Sequence, residues 1–128
     1  MKILSKRQIL MLHTALIAQT GGIDGVRDEG LLDSAINAPF QTFAEQDLYP
    51  TVLEKAARLG FGLISNHPFL DGNRRTGAMA AVVFLDVNGY EFTAGDEEFT
   101  EMVLQVASGR MEKPAIAEFL KSHCSPQG

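Results

Sequence analysis

His67-Pro68-Phe69-Leu70-Asp71-Gly72-Asn73-Arg74-Arg75-Thr76-Gly77 gathers a histidine, a carboxylate, a carboxamide and two adjacent guanidinium groups within eleven residues. The proline and the two glycines require a loop, and Ala78 to Val87, directly after it, is the most apolar helical run in the chain. The stretch therefore reads as a turn feeding the N-terminus of a buried central helix. Backbone N–H groups at such a terminus are unpaired, and the helix dipole favours negative charge there. Arg74 and Arg75 strengthen that preference, because a guanidinium can bond two phosphate oxygens at once. A histidine titrates near neutrality, which makes His67 a candidate general base. Asp71 is a candidate ligand for magnesium, which takes one or two carboxylates together with phosphate oxygens and water. Each residue also has a plainer reading: Asn73 as an N-cap, His67 as a histidine bonded to a backbone carbonyl. A packed core does not need this much polarity in so short a stretch, so a phosphate site is the expectation.

Outward from this loop, the chain reads as helices. Upstream, Pro50 opens a helix with two adjacent apolar stripes: Val52, Ala56, Leu59 and Leu63 beside Leu53, Ala57, Gly60 and Ile64. Glu54, Lys55 and Arg58 mark its wet side, with Glu54–Arg58 at ion-pair spacing. Earlier still, Ser5 and Gln8 form a capping box for a helix carrying Ile9, Leu12, Leu16 and Ile17, which Gly21-Gly22 ends. His13 is expected as a partly buried helix histidine. Asp28 caps a short helix that Pro39 stops, and Arg27 and Asp28 suggest a salt bridge or a cap. Phe40 to Tyr49 lacks helical periodicity and is too apolar for a solvated linker.

Downstream, Met79, Val82, Val83 and Leu85 leave the central helix little polar surface, and Asn88-Gly89 ends it. Tyr90 to Phe92 is extended. Asp96 is placed as the cap of a fifth helix bearing Phe99, Val103 and Val106, and Pro114 opens a sixth. Residues 122–128 read as a frayed tail. The expected fold class is all-α: one domain over residues 1–128, about six helices, and at most one small hairpin near residues 40–49.

Composition narrows the function. With 128 residues, 45% apolar and 21% charged, the chain can bury a real core. A net charge of −5 argues against direct nucleic-acid binding. No run of about eighteen apolar residues and no signal pattern is present, so neither a membrane span nor export is expected. The single Cys124 forbids an internal disulfide, favours a cytoplasmic location and reads as an incidental surface thiol.

The eleven-residue stretch resembles the signature of the Fic/Doc family, HPFx(D/E)GNGRxxR in its best-known branch. His67, Pro68, Phe69, Asp71, Gly72, Asn73 and Arg75 match it. The signature's second glycine is Arg74 here and its second arginine is Ala78, and both departures resemble the Doc (death-on-curing) branch, which has lysine at the first. The similarity runs from near Met1 to about Phe92. It implies a Fic/Doc-like domain in which His67 takes a proton from a target hydroxyl and Asp71 holds Mg2+ on the phosphates of ATP. Gly72 and Asn73 would cradle the anion, Arg74 and Arg75 would lie against phosphate, and Phe69 would bury its ring to anchor the loop. Phe43, Leu48 and Tyr49 would belong to a flap that holds the target in extended form. Family members with glycine at position 74 transfer AMP. A long cation there obstructs that pose, and Doc toxins transfer the γ-phosphate to a threonine of elongation factor Tu, stopping translation. The resemblance therefore implies a protein kinase of Doc type. AMP transfer and a non-catalytic antitoxin-binding module are the alternatives. Fic proteins often carry an inhibitory helix, Ser/Thr-x-x-x-Glu-Gly/Asn. The one Glu-Gly pair, Glu29-Gly30, has Gly25 at the Ser/Thr position. That implies an inhibitor in trans, a Phd-like antitoxin.

Overall fold

The computed structural model describes residues 1–127. Six helices appear in chain order: α1 (Lys6–Thr20), α2 (Glu29–Asn37), α3 (Val52–Ser65), α4 (Asn73–Val87), α5 (Asp96–Ala107) and α6 (Lys113–Ser122). Between α2 and α3, a 3-10 turn (Ala38–Phe40) leads into a hairpin of β1 (Thr42–Phe43) and β2 (Gln46–Asp47). A second antiparallel pair joins β3 (Tyr90–Phe92) to β4 (Cys124–Pro126). None of the helices is long and apolar enough to cross a membrane.

Local chemistry explains most helix starts. Ser5 and Gln8 form both bonds of the capping box, and Asp28 accepts the N–H of Leu31 at 2.9 Å. Asp96 is not a cap: Gly95 takes that position, and Asp96 begins α5 with Glu97 and Glu98, where the helix dipole favours acids.

α3 is the hub, packing against α2, α4, α5 and α6. Both of its predicted stripes are buried around Ala56, Leu59, Leu63, Ala57 and Ile64. The α3–α4 contact is close because Gly60 and Gly77 face each other: a Cβ on Gly77 would stand 2.6 Å from Ile64 Cγ1 and 3.1 Å from Gly60 O. In α4 the buried face is Thr76, Gly77, Ala80, Ala81, Phe84 and Leu85, whereas Met79 is exposed.

Three expectations need correction. The wet side of α3 is not uniformly wet. Lys55 is only 4% exposed, since its ammonium donates to the carbonyl of Tyr49 and to Asp47, so the foot of the hairpin supplies the acceptors that let a lysine be buried. The Glu54–Arg58 pair does not form: Glu54 accepts from the Thr51 hydroxyl at 2.9 Å, and Arg58 lies over the ring of Phe61. The tail is not frayed. Tyr90 pairs with Pro126 and Phe92 with Cys124, so a second sheet exists that the all-α expectation did not contain; residue 128 lies outside the described residues. Cys124 is accordingly half-buried in a strand, and burial pushes its thiol above the ordinary range.

Candidate active site

Asn66 ends α3, and its N–H reaches Gly62 O at 2.9 Å. His67 then takes a left-handed backbone, φ +50, which turns the chain out of the helix. Pro68 and Phe69 are buried, whereas His67, Leu70 and Asp71 are exposed. Gly72, at φ +76, is the N-cap of α4, and a Cβ there would stand 3.0 Å from Ile17 Cδ1. Only glycine suits both constraints. No side chain caps α4; its first backbone bond is Thr76 N–H to Gly72 O, so the N–H groups of Asn73, Arg74 and Arg75 precede the ladder. Asn73 itself is not the N-cap. Its Oδ1 accepts from Phe69 N–H at 2.9 Å and its Nδ2 donates to Phe69 O at 3.1 Å, so the carboxamide staples the loop.

A second segment, residues 22–28, lies along the loop. Leu70 N–H donates to Gly25 O at 3.0 Å, and Val26 bridges Phe69. The N–H groups of Arg27 and Asp28 both reach Pro68 O, at 2.7 and 3.1 Å. Among the described residues the Arg27 side chain makes no salt bridge; it donates from Nε to His67 O at 2.7 Å and from Nη2 to Asn66 O at 3.0 Å. Asp71 Oδ1 accepts from Gly72 N–H, and a Cβ on Gly22 would lie 2.8 Å from Asp71 Oδ2. From α1, His13 reaches under the loop. It is 1% exposed, bonds Asp71 O through Nε2 at 2.7 Å, and has Nδ1 3.3 Å from Asp24 Oδ1. Sequence reasoning missed His13 and Arg27 as parts of the site. A signal existed for the first: Ile9, His13 and Ile17 recur every four residues, which places all three on one face.

A cleft of about 860 Å³ opens at the start of α4. His67 and every residue from Asp71 to Arg75 line it, as does Ala78, so the structure brings the predicted motif residues together. The opposite wall is α5, through Phe99, Val103 and Leu104. Arg74 and Arg75 are exposed, and among the described residues neither guanidinium has an ion-pair partner. The proposed flap residues are not on the lining. Phe43 and Leu48 are 77% and 49% exposed on the hairpin, and Tyr49 is half-buried with its carbonyl held by Lys55.

The Fic/DOC family model matches residues 3–85, a span that takes in the cationic start of α4 with His67 and Asp71 at its mouth. The chain belongs to the Fic/DOC family. It is similar to a toxin Doc of Mycolicibacterium smegmatis, 46% identical over 74 residues, a match that spans 58% of this chain and only 57% of that relative's length. It is also similar to the protein kinase doc of Escherichia phage P1, 26% identical over 121 residues and 94% of each chain. The family match ends at Leu85, so the α5 wall of the cleft lies outside it.

Proposed function

We propose that the chain is a Doc-type toxin that transfers the γ-phosphate of ATP to a Thr or Ser hydroxyl of a protein, with elongation factor Tu as the target and translation as the process stopped. The observation that carries this reading is Arg74, on the cleft lining with no ion-pair partner among the described residues, beside the uncharged Ala78. By the resemblance to the family signature, a long cation at 74 stands where AMP-transferring members have glycine and obstructs their phosphate pose. The relatives' names, toxin Doc and protein kinase doc, support the same choice.

In this reading His67 accepts the proton of the target hydroxyl, whose oxygen forms a bond to the γ-phosphorus. The bond from that phosphorus to the β–γ bridging oxygen breaks, ADP leaves, and His67 returns its proton to solvent. Arg74, Arg75 and the first N–H groups of α4 lie against the phosphates and offset their charge. Asn73 contributes its backbone N–H, its carboxamide being engaged on Phe69. No cluster of three or more metal-ligating side chains exists among the described residues. One carboxylate, Asp71, suits Mg2+ that arrives with phosphate oxygens and water. Bound there, Mg2+ would neutralise phosphate charge. Gly25 at the Ser/Thr position of the inhibitory pattern supports a restraint in trans, by a Phd-like, cytoplasmic antitoxin.

The test is a pair of reactions containing purified protein, magnesium and bacterial lysate, one with γ-labelled and one with α-labelled ATP. Label from the γ-position alone, on a band the size of elongation factor Tu and absent with His67→Ala, is the expected result. Label from the α-position would mean AMP transfer, and silence in both would favour a binding module.

A further inference from the structure

We propose that Arg27 is a positioning residue for His67, its guanidinium fixing the backbone from which the imidazole is aimed into the cleft; this rests on the reading of His67 as the base. His67 has φ +50, a left-handed conformation that residues with a Cβ rarely adopt. Its side chain is exposed, and among the described residues its ring makes no hydrogen bond. What the fold fixes is therefore the direction in which the Cα–Cβ bond leaves the chain, and that is set by the two rotations about Cα. Those rotations relate two peptide groups, one ending in Asn66 O and the other in His67 O. Arg27 donates to both, from Nη2 at 3.0 Å and from Nε at 2.7 Å. Because a guanidinium is planar and rigid, holding both acceptors holds their relation to each other.

The clamp is itself anchored. Arg27 N–H docks on Pro68 O at 2.7 Å, and the next residue, Asp28, docks on the same oxygen and caps α2. No carboxylate competes for the guanidinium among the described ion pairs, so its charge is directed at two carbonyl oxygens. Lysine would keep the charge but would not fix two acceptors in one plane. A misplacement of the base by about 1 Å costs on the order of 100-fold in rate.

The experiment uses the full chain as Arg27→Ala, Arg27→Lys and His67→Ala, with two readouts. Steady-state transfer gives kcat and the KM for ATP. The three-bond HN–Hα coupling and Cα shift of His67 by NMR report its left-handed backbone without reference to activity. In Arg27→Ala the left-handed signature is expected to disappear and kcat to fall about 100-fold, with the KM for ATP little changed. Added guanidinium ion should restore part of the rate, because the position is solvent-exposed. Arg27→Lys, the variant to rely on should alanine unfold the chain, should fall between. Unimpaired transfer by Arg27→Ala beside an inactive His67→Ala would overturn this inference alone, as would a left-handed His67 that persists in Arg27→Ala. Normal transfer by His67→Ala would sink the base assignment, and this inference with it.

Discussion

The rings of His13 and Phe69 are stacked, their centroids 3.8 Å apart and their planes 6° from parallel. The stack joins α1 to the loop, while the same imidazole bonds Asp71 O at 2.7 Å. A carbonyl only accepts, so Nε2 carries a proton. His13→Ala removes the stack and the bond together and should cost roughly 3 kcal/mol in a urea titration. His13→Phe keeps an aromatic against Phe69 but leaves Asp71 O without its donor, and should cost about 1–3 kcal/mol. Equal, negligible losses would mean that the loop does not depend on α1.

The glycine pair between α3 and α4 gives an ordered prediction. Alanine at Gly77 would collide with Ile64 Cγ1 at 2.6 Å, whereas alanine at Gly60 would meet Ala81 Cβ at 3.3 Å. Gly77→Ala should therefore destabilise by roughly 1–3 kcal/mol through overpacking. At Gly60 the milder crowding is offset by about 1 kcal/mol of helix propensity, so Gly60→Ala should be near neutral. Denaturant midpoints compare the two directly, and the reverse order would contradict the close helix contact.

His123 connects stability to pH. The Phe119 carbonyl on Nδ1, 2.8 Å away, and then the Glu98 carboxylate on Nε2, 3.0 Å away, hold its pKa above the ordinary 6.5. A raised folded value means that the charged form is preferred in the fold. Its contribution is complete below the ordinary value and disappears as pH rises through the raised one. The urea midpoint of the wild type should thus exceed that of His123→Gln most in acid, with the gap narrowing as pH rises above the ordinary value of 6.5 and through the raised one. Glu98→Gln should retain part of the effect, through Phe119. A gap that stays constant across that range would remove His123 from the account.

Features written in side chains close along the chain were legible. Ser5 with Gln8, Asp28 with Leu31, the stripes of α3 and the glycine-rich entry to α4 all act within a few residues. What escaped depends on partners far away in sequence. β4 has no alternation to announce it, since Cys124-Ser125-Pro126 pairs through main-chain atoms with a segment some thirty residues earlier. Lys55 looked like a wet-face charge because its acceptors come from the hairpin. Asn73 sat one residue past the cap it resembled, and its role became visible only with Phe69 folded back on it. Residues 22–28 support the motif loop mainly with backbone groups, which every residue type carries alike. The motif's chemistry was thus readable at the level of residue identity, and its scaffolding was not.

Asn88 and Gly89, at the exit of α4, hold the segments around Lys2 and Gln127. The Asn88 side chain exchanges two hydrogen bonds with the backbone of Lys2, and Gln127 N–H reaches the neighbouring Gly89 O at 2.8 Å. The cleft is at the opposite end of that helix, about 22 Å away for fifteen residues at 1.5 Å each. A probe attached beside Lys2 or beside Gln127 would therefore sit at the same spot, well away from the cleft mouth. Either position would hold the protein on a surface with its cleft facing outward.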